Sequence, residues 1–159
     1  DLGSAPGSWT QIVRERLTDK NGELKGRIIA MDILPMEPID GVTFLQGDFR
    51  EQEVADKLNE ILGGDKLDVV ISDMAPNLSG IAMVDANASL LLNELALDFA
   101  VEHLKPEGVF VTKAFQGSGY SQFIENCKKH FVSVAQRKPE ASRNSSAEMY
   151  VVARRLKNK

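Results

Sequence analysis

Lys113 closes an apolar run, Val109-Phe110-Val111-Thr112, and a buried ammonium group in that position is expensive unless it is paired. Asp73 closes a second apolar, β-branched run, Leu67-Asp68-Val69-Val70-Ile71-Ser72, and is the obvious partner. Neighbouring carboxylates favour the charged lysine and oppose the depression that burial causes. In its charged form such a group orients a hydroxyl and stabilises charge on oxygen; without its proton it is a base. A second constellation stands at the start, Asp1-Leu2-Gly3-Ser4-Ala5-Pro6-Gly7-Ser8-Trp9. Gly3 and Gly7 supply backbone conformations and clearance that a Cβ would deny. The helix start just beyond offers unpaired N–H groups and a positive dipole end. Asp32 and Asp48 then follow the next two predicted strands, which is how open α/β sheets assemble nucleotide sites.

The elements that must position these groups alternate along the chain. Trp9 to Leu17 reads as a helix, Gly26 to Asp32 as a strand, and Val42 to Gln46 as another. Glu51 to Leu62 carries Val54, Ala55, Leu58, Ile61 and Leu62 on one face, a helix ended by Gly63-Gly64. Leu67 to Ser72 has buried-strand character. Ala86 to Leu104 is a long helix stopped by Lys105-Pro106-Glu107-Gly108, and Val109 to Thr112 is a strand again. Ser121 to Phe131 is a helix, and strands at Val132 to Gln136 and Met149 to Ala153 flank a polar loop and pair antiparallel. Strand-helix alternation predicts a three-layer α/β sandwich with a mostly parallel sheet and one antiparallel C-terminal strand. At 159 residues the chain is read as one domain, residues 1–159, large enough to bury a core.

Several classes are disfavoured. A dinucleotide-binding oxidoreductase needs Gly-x-Gly-x-x-Gly, and from Gly3 the second and third glycine positions hold Ala5 and Ser8. Asp32 suits a ribose in either class and does not discriminate. No apolar run approaches the about 18 residues that span a membrane. The lone Cys127 rules out an internal disulfide and lies at helical spacing from Phe123 and Phe131, so buried packing is expected rather than a reactive thiol. With two His and one Cys a zinc site is not expected. The net charge of −4 argues mildly against nucleic acid unless basic residues cluster.

In order along the chain stand Asp1 to Trp9, Met31 to Met36, Gln46-Gly47-Asp48-Phe49-Arg50 and Ser72-Asp73-Met74-Ala75-Pro76-Asn77. They are followed by Thr112-Lys113-Ala114-Phe115-Gln116-Gly117, Arg137-Lys138-Pro139, Ser142-Arg143 and Glu148-Met149-Tyr150. This series closely resembles the FtsJ-like family of ribosomal RNA 2′-O-ribose methyltransferases, in its bacterial form, over essentially the whole chain. Each motif alone is weak; Asp-Met-Ala-Pro-Asn after a buried strand with Lys-x-Phe-Gln-Gly on the next is strong in combination. The resemblance implies a class I S-adenosylmethionine-dependent methyltransferase fold and S-adenosylmethionine as cofactor, without a metal. It implies a cofactor pocket lined by Gly7, Trp9, Asp32, Asp48 and Asp73. It places three members of a Lys-Asp-Lys-Glu catalytic tetrad on Asp73, Lys113 and Glu148, with Lys113 as the proposed proton acceptor. The first lysine belongs upstream of the glycine turn, so the chain is expected to be truncated at its N-terminus.

Each assignment has a structural alternative. Asp32 and Asp48 suit turns, Trp9 suits a core, and Glu148 suits a solvated strand end. Arg137, Lys138 and Arg143, around Pro139 and the 142–146 stretch, suit either phosphate contact or a solvated turn. The implied substrate is a uridine of the peptidyl-transferase A-loop of 23S ribosomal RNA, on the large ribosomal subunit, in a cytoplasmic and monomeric enzyme. Two alternatives stay open: the same chemistry on tRNA or an mRNA cap, and a catalytically silent RNA-binding or ribosome-assembly protein of this fold.

Overall fold

The computed structural model describes residues 1–5, 7–74, 79–138 and 147–157. The chain forms two compact units, Asp1–Gly64 and Asp65–Lys159.

In the first unit a glycine turn leads into helix α1, Ser8–Leu17. Strand β1, Ile28–Asp32, pairs in parallel with β2, Val42–Gln46, from Ile28 opposite Val42 to Asp32 opposite Gln46. Leu2 forms a further isolated parallel bridge to Met31. Helix α2, Gln52–Leu62, buries Leu58 and Leu62 and closes on Gly63 in the left-handed region, where a Cβ would be penalised. Leu2, Ile28, Ala30 and Met31 are the other buried apolar side chains of this unit.

The second unit holds β3, Leu67–Ser72; α3, Ala82–His103; β4, Leu104–Phe115; α4, Tyr120–His130; β5, Phe131–Arg137; and β6, Glu148–Leu156. Its sheet order is β3-β4-β6-β5. β3 and β4 run parallel, and β6 runs antiparallel to both β4 and β5, so β6 is the one reversed strand. Phe110 and Phe131 stack at 6.3 Å between ring centroids, and Phe110, Phe123, Phe131, Leu97 and Val151 are fully buried. No helix among the described residues is long and apolar enough to cross a membrane.

β4 and β6 run three residues past their expected ends, to Phe115 and Leu156, and two further differences have a physical reason. α3 begins at Ala82 rather than Ala86, because Asp85 accepts the Ser79 and Gly80 backbone amides and organises the helix entry. The segment Lys105 to Gly108, expected as a stop, lies within β4. Pairing passes from Leu67 opposite Leu104 to Val69 opposite Val109, so the extra residues of β4 form an irregularity that Lys105 clamps to Asp68 at 3.0 Å.

Cys127 is fully buried in α4, and burial pushes its thiol pKa up to about 12. The folded protein should therefore resist thiol-specific labelling at pH 8, with the label incorporated at the rate of global opening. Rapid labelling of the native chain would show that α4 does not pack as described.

Candidate active site

The last residue of β3, Ser72, pairs with Thr112 of β4. Asp73 and Lys113 therefore leave two adjacent parallel strands side by side. Lys113 Nζ lies 2.6 Å from Asp73 Oδ1 and 3.7 Å from Glu148 Oε1, with the three side chains 21%, 28% and 30% exposed. Glu148 arrives on the reversed strand, opposite Phe115, while Tyr150 stands opposite Lys113. Asp73 Oδ1 is buried and receives no well-directed hydrogen bond. The 2.6 Å approach is thus an oblique ion pair, and the oxygen retains a lone pair for a further proton.

Burial is the largest single influence on Lys113 and lowers its pKa. The close contact and charge of Asp73, then the charges of Glu148 and Tyr150, outweigh it and raise the pKa above the usual 10.5. At neutral pH the group is an ammonium ion. A raised native pKa means that its stabilising contribution is complete below the unfolded value of 10.5 and is lost as pH climbs through the native value.

Residues directly opposite on antiparallel strands share a face of the sheet. Lys113 faces Tyr150, and Tyr150 faces Arg137 on β5, so the three form a row across three strands. Arg137 closes β5 and is exposed, as is Lys138 just beyond it. Arg143 lies outside the described residues. Tyr150 was not singled out in the sequence; only the cross-strand register brings it to Lys113. Burial, then the charge of Glu148, raises its phenol pKa, against the opposing pull of Lys113.

In the first unit the glycine turn is held by Gly3 and Ser4 amides donating to Met31 O at 2.8 and 3.0 Å. Gly7 has φ +122, and a Cβ there would meet Ile39 and Met36 at 3.2 and 3.3 Å. It precedes α1 without a side-chain cap hydrogen bond. Trp9 is half-buried in that first turn. Asp32 is 8% exposed and accepts the Ala5 amide at 2.8 Å and the Leu34 amide at 3.0 Å. Its turn-organising role is therefore real, and each oxygen keeps a lone pair. Asp48 pairs with Arg50 at 2.7 Å, whose guanidinium holds its carboxyl below the usual range. Asp1 Oδ1 and Ser4 Oγ are buried without a hydrogen-bond partner. Among the described residues no group of three or more His, Cys, Asp and Glu is arranged to hold a metal ion.

Because Asp73 supplies the main upward influence on Lys113, Asp73→Asn should lower the lysine titration midpoint, read by NMR on the labelled Cε. An unchanged midpoint would show that the pair is not formed in solution.

A profile of the FtsJ-like methyltransferase family matches residues 1–156. The chain is 55% identical over 158 residues to a Bordetella petrii protein named ribosomal RNA large subunit methyltransferase E, covering 99% of this chain and 75% of that one. It is 53% identical over 165 residues to the Cupriavidus necator protein of the same name, with the same shares. A Plasmodium falciparum structure described as a ribosomal RNA methyltransferase superimposes with TM-score 0.81 at 31% identity, covering 98% of this chain and 84% of that one. Human methyltransferase-like protein 13, solved with SAH, shares the fold at TM-score 0.62 and 18% identity, over 96% of this chain and 69% of that one. The chain belongs to the FtsJ-like methyltransferase family and is a methyltransferase of Rossmann-like α/β fold.

Proposed function

We propose that this enzyme methylates the ribose 2′-hydroxyl of 23S ribosomal RNA, at a uridine of the peptidyl-transferase A-loop, with S-adenosylmethionine as donor. The observation that carries the reading is the Lys113 ammonium held by Asp73 at 2.6 Å and Glu148 at 3.7 Å. It stands in a chain 55% identical to relatives named for ribosomal RNA methylation.

The residues of the glycine turn fit the donor. Gly7 adopts a positive φ that side chains rarely take, the start of α1 brings a positive dipole end to the turn, and buried Ser4 Oγ has no hydrogen-bond partner among the described residues. Asp32 takes the ribose hydroxyls through its remaining lone pairs, Asp48 takes the adenine amino group, and Gly7 and Trp9 contribute backbone contacts. Asp73 serves the cofactor as well as Lys113. The bound cofactor supplies an electrophilic methyl group on a sulfonium.

Transfer to a sugar hydroxyl is an in-line displacement requiring the oxygen within about 3–3.5 Å of the methyl carbon. A hydroxyl is a poor nucleophile and must lose its proton during attack. An ammonium group cannot take that proton unless it gives one up. Lys113 therefore acts as a relay: the hydroxyl proton passes to Nζ as an Nζ proton passes to Asp73 Oδ1. The O–H bond breaks, a carboxyl O–H bond forms, and the oxygen receives the methyl group. Charge on the oxygen is stabilised by Nζ throughout, and Glu148 holds the lysine and the ribose. Arg137, Lys138 and Arg143 contact RNA phosphates, and folded RNA shape is what is read.

Hydrogen bonds from two ribose hydroxyls to a carboxylate contribute on the order of 1.5–3 kcal/mol. Asp32→Ala should thus weaken S-adenosylmethionine binding by roughly tenfold to more than a hundredfold, and unchanged affinity by calorimetry would remove Asp32 from the site. Lys113→Ala should nearly abolish methyl transfer to ribosomal RNA while leaving cofactor affinity within about fewfold limits, as expected of a group acting in the transition state. Near-normal turnover would contradict the assignment. With Lys113 charged at rest, the pH–rate profile should show no rise with a lysine-like basic pKa; such a rise would establish a neutral-lysine base instead.

A further inference from the structure

A cleft in the second unit opens between α3 and the turn from β4 into α4. Ser89, Leu90, Asn93, Phe115, Gln116 and Tyr120 are among its lining residues. Asn93 is 7% exposed, and it is one of the polar side chains of the cleft wall. At the rim stands Phe115, 43% exposed although aromatic rings are among the most valuable groups to bury. Phe115 lies two residues beyond Lys113 on β4, about 6.7 Å along the strand, and directly opposite Glu148. It therefore shares a sheet face with the Lys113 cluster. The Gln116 amide donates to Ala147 O at 2.8 Å, fixing this rim to the residue before Glu148. Tyr120 OH donates to Gln136 Oε1 at 2.7 Å, fixing the other wall to β5.

We propose that this cleft receives an unstacked uracil, the base of the nucleotide whose ribose is presented to Lys113, with Phe115 as its stacking platform and Asn93 as the reader of its edge. The inference rests on the RNA-methylating reading above and adds to it a base-recognition site. An asparagine amide offers one acceptor and one donor group side by side, which matches the N3–H and an adjacent carbonyl of uracil. Single-stranded RNA is recognised by this combination of stacking on an aromatic ring and hydrogen bonding at the base edge. The wall is mixed in the required way: an aromatic rim at Phe115, an apolar side at Leu90, and the amide of Asn93.

The test uses the full chain and a 23S ribosomal RNA transcript carrying 4-thiouridine in place of uridine, irradiated and mapped by peptide mass spectrometry. Cross-links should fall in the peptides containing Asn93 and residues 113–123. Phe115→Leu should remove them and lower kcat/KM for RNA by about five- to 150-fold, the range of base–aromatic stacking. S-adenosylmethionine affinity should be unchanged, and Phe115→Tyr should restore both signals. Asn93→Leu should reduce kcat/KM while leaving thermal stability intact. Methylation with cross-links confined to peptides containing Arg137 and Lys138, or a Phe115→Leu enzyme with normal kcat/KM, would overturn the cleft assignment and leave the methylation reading standing. Absence of both cross-linking and methylation would overturn the RNA reading and the cleft with it.

Discussion

The Lys113–Asp73 ion pair is the constraint around which the second unit is arranged. A lysine at the end of a buried strand must be neutralised, and the parallel register of β3 and β4 brings Asp73 alongside it at 2.6 Å. The reversed strand β6 then supplies Glu148 and Tyr150 from the opposite direction. Reversal matters: a parallel strand in that place would carry its C-terminal end here, with Arg154, Arg155 and Lys157 rather than a carboxylate and a phenol. Topology thus decides the sign of the charge beside the lysine, and the sign decides its protonation state.

The same constraint shapes the chemistry. Burial alone would lower the lysine pKa, whereas the neighbouring carboxylates raise it. In the mechanism we propose, a charged resting state makes the group a donor first, and proton removal from the attacking hydroxyl becomes a relay ending on the Asp73 carboxylate, whose Oδ1 accepts no well-directed hydrogen bond among the described residues. In the first unit the logic is different. Asp32 is held by two backbone amides, so its carboxylate has a fixed orientation. In the cofactor role we propose for it, that preorganisation lowers the cost of binding.

Much of this was legible in the sequence, for identifiable reasons. A charged residue ending an apolar run is conspicuous, which is why Lys113 and Asp73 stood out before any coordinates. Glycines flanking a turn before a helix mark Gly3 and Gly7, and both adopt positive φ. The antiparallel pairing of the last two strands followed from their separation by one polar loop. What sequence reading missed depends on contacts between distant segments. Tyr150 acquires meaning only through its register with Lys113. Asn93 looks like an ordinary helix residue until its place in the cleft wall is seen, and Phe115 looks like core until its exposure is known. The early start of α3 was hidden because Asp85 organises the entry from inside the helix. For Asp32 the structural and functional alternatives turned out to be compatible rather than exclusive.

The central claim is that the oxygen methylated is a ribose 2′-hydroxyl of large-subunit RNA. The most direct measurement transfers a tritiated methyl group from S-adenosylmethionine to ribosomal subunits from a strain lacking this methylation, followed by alkaline hydrolysis. A 2′-O-methyl group blocks cleavage of its own phosphodiester bond, so the account predicts label in an alkali-resistant dinucleotide from 23S RNA. Label released in mononucleotides as a methylated base, or recovered in small-subunit RNA, would contradict it.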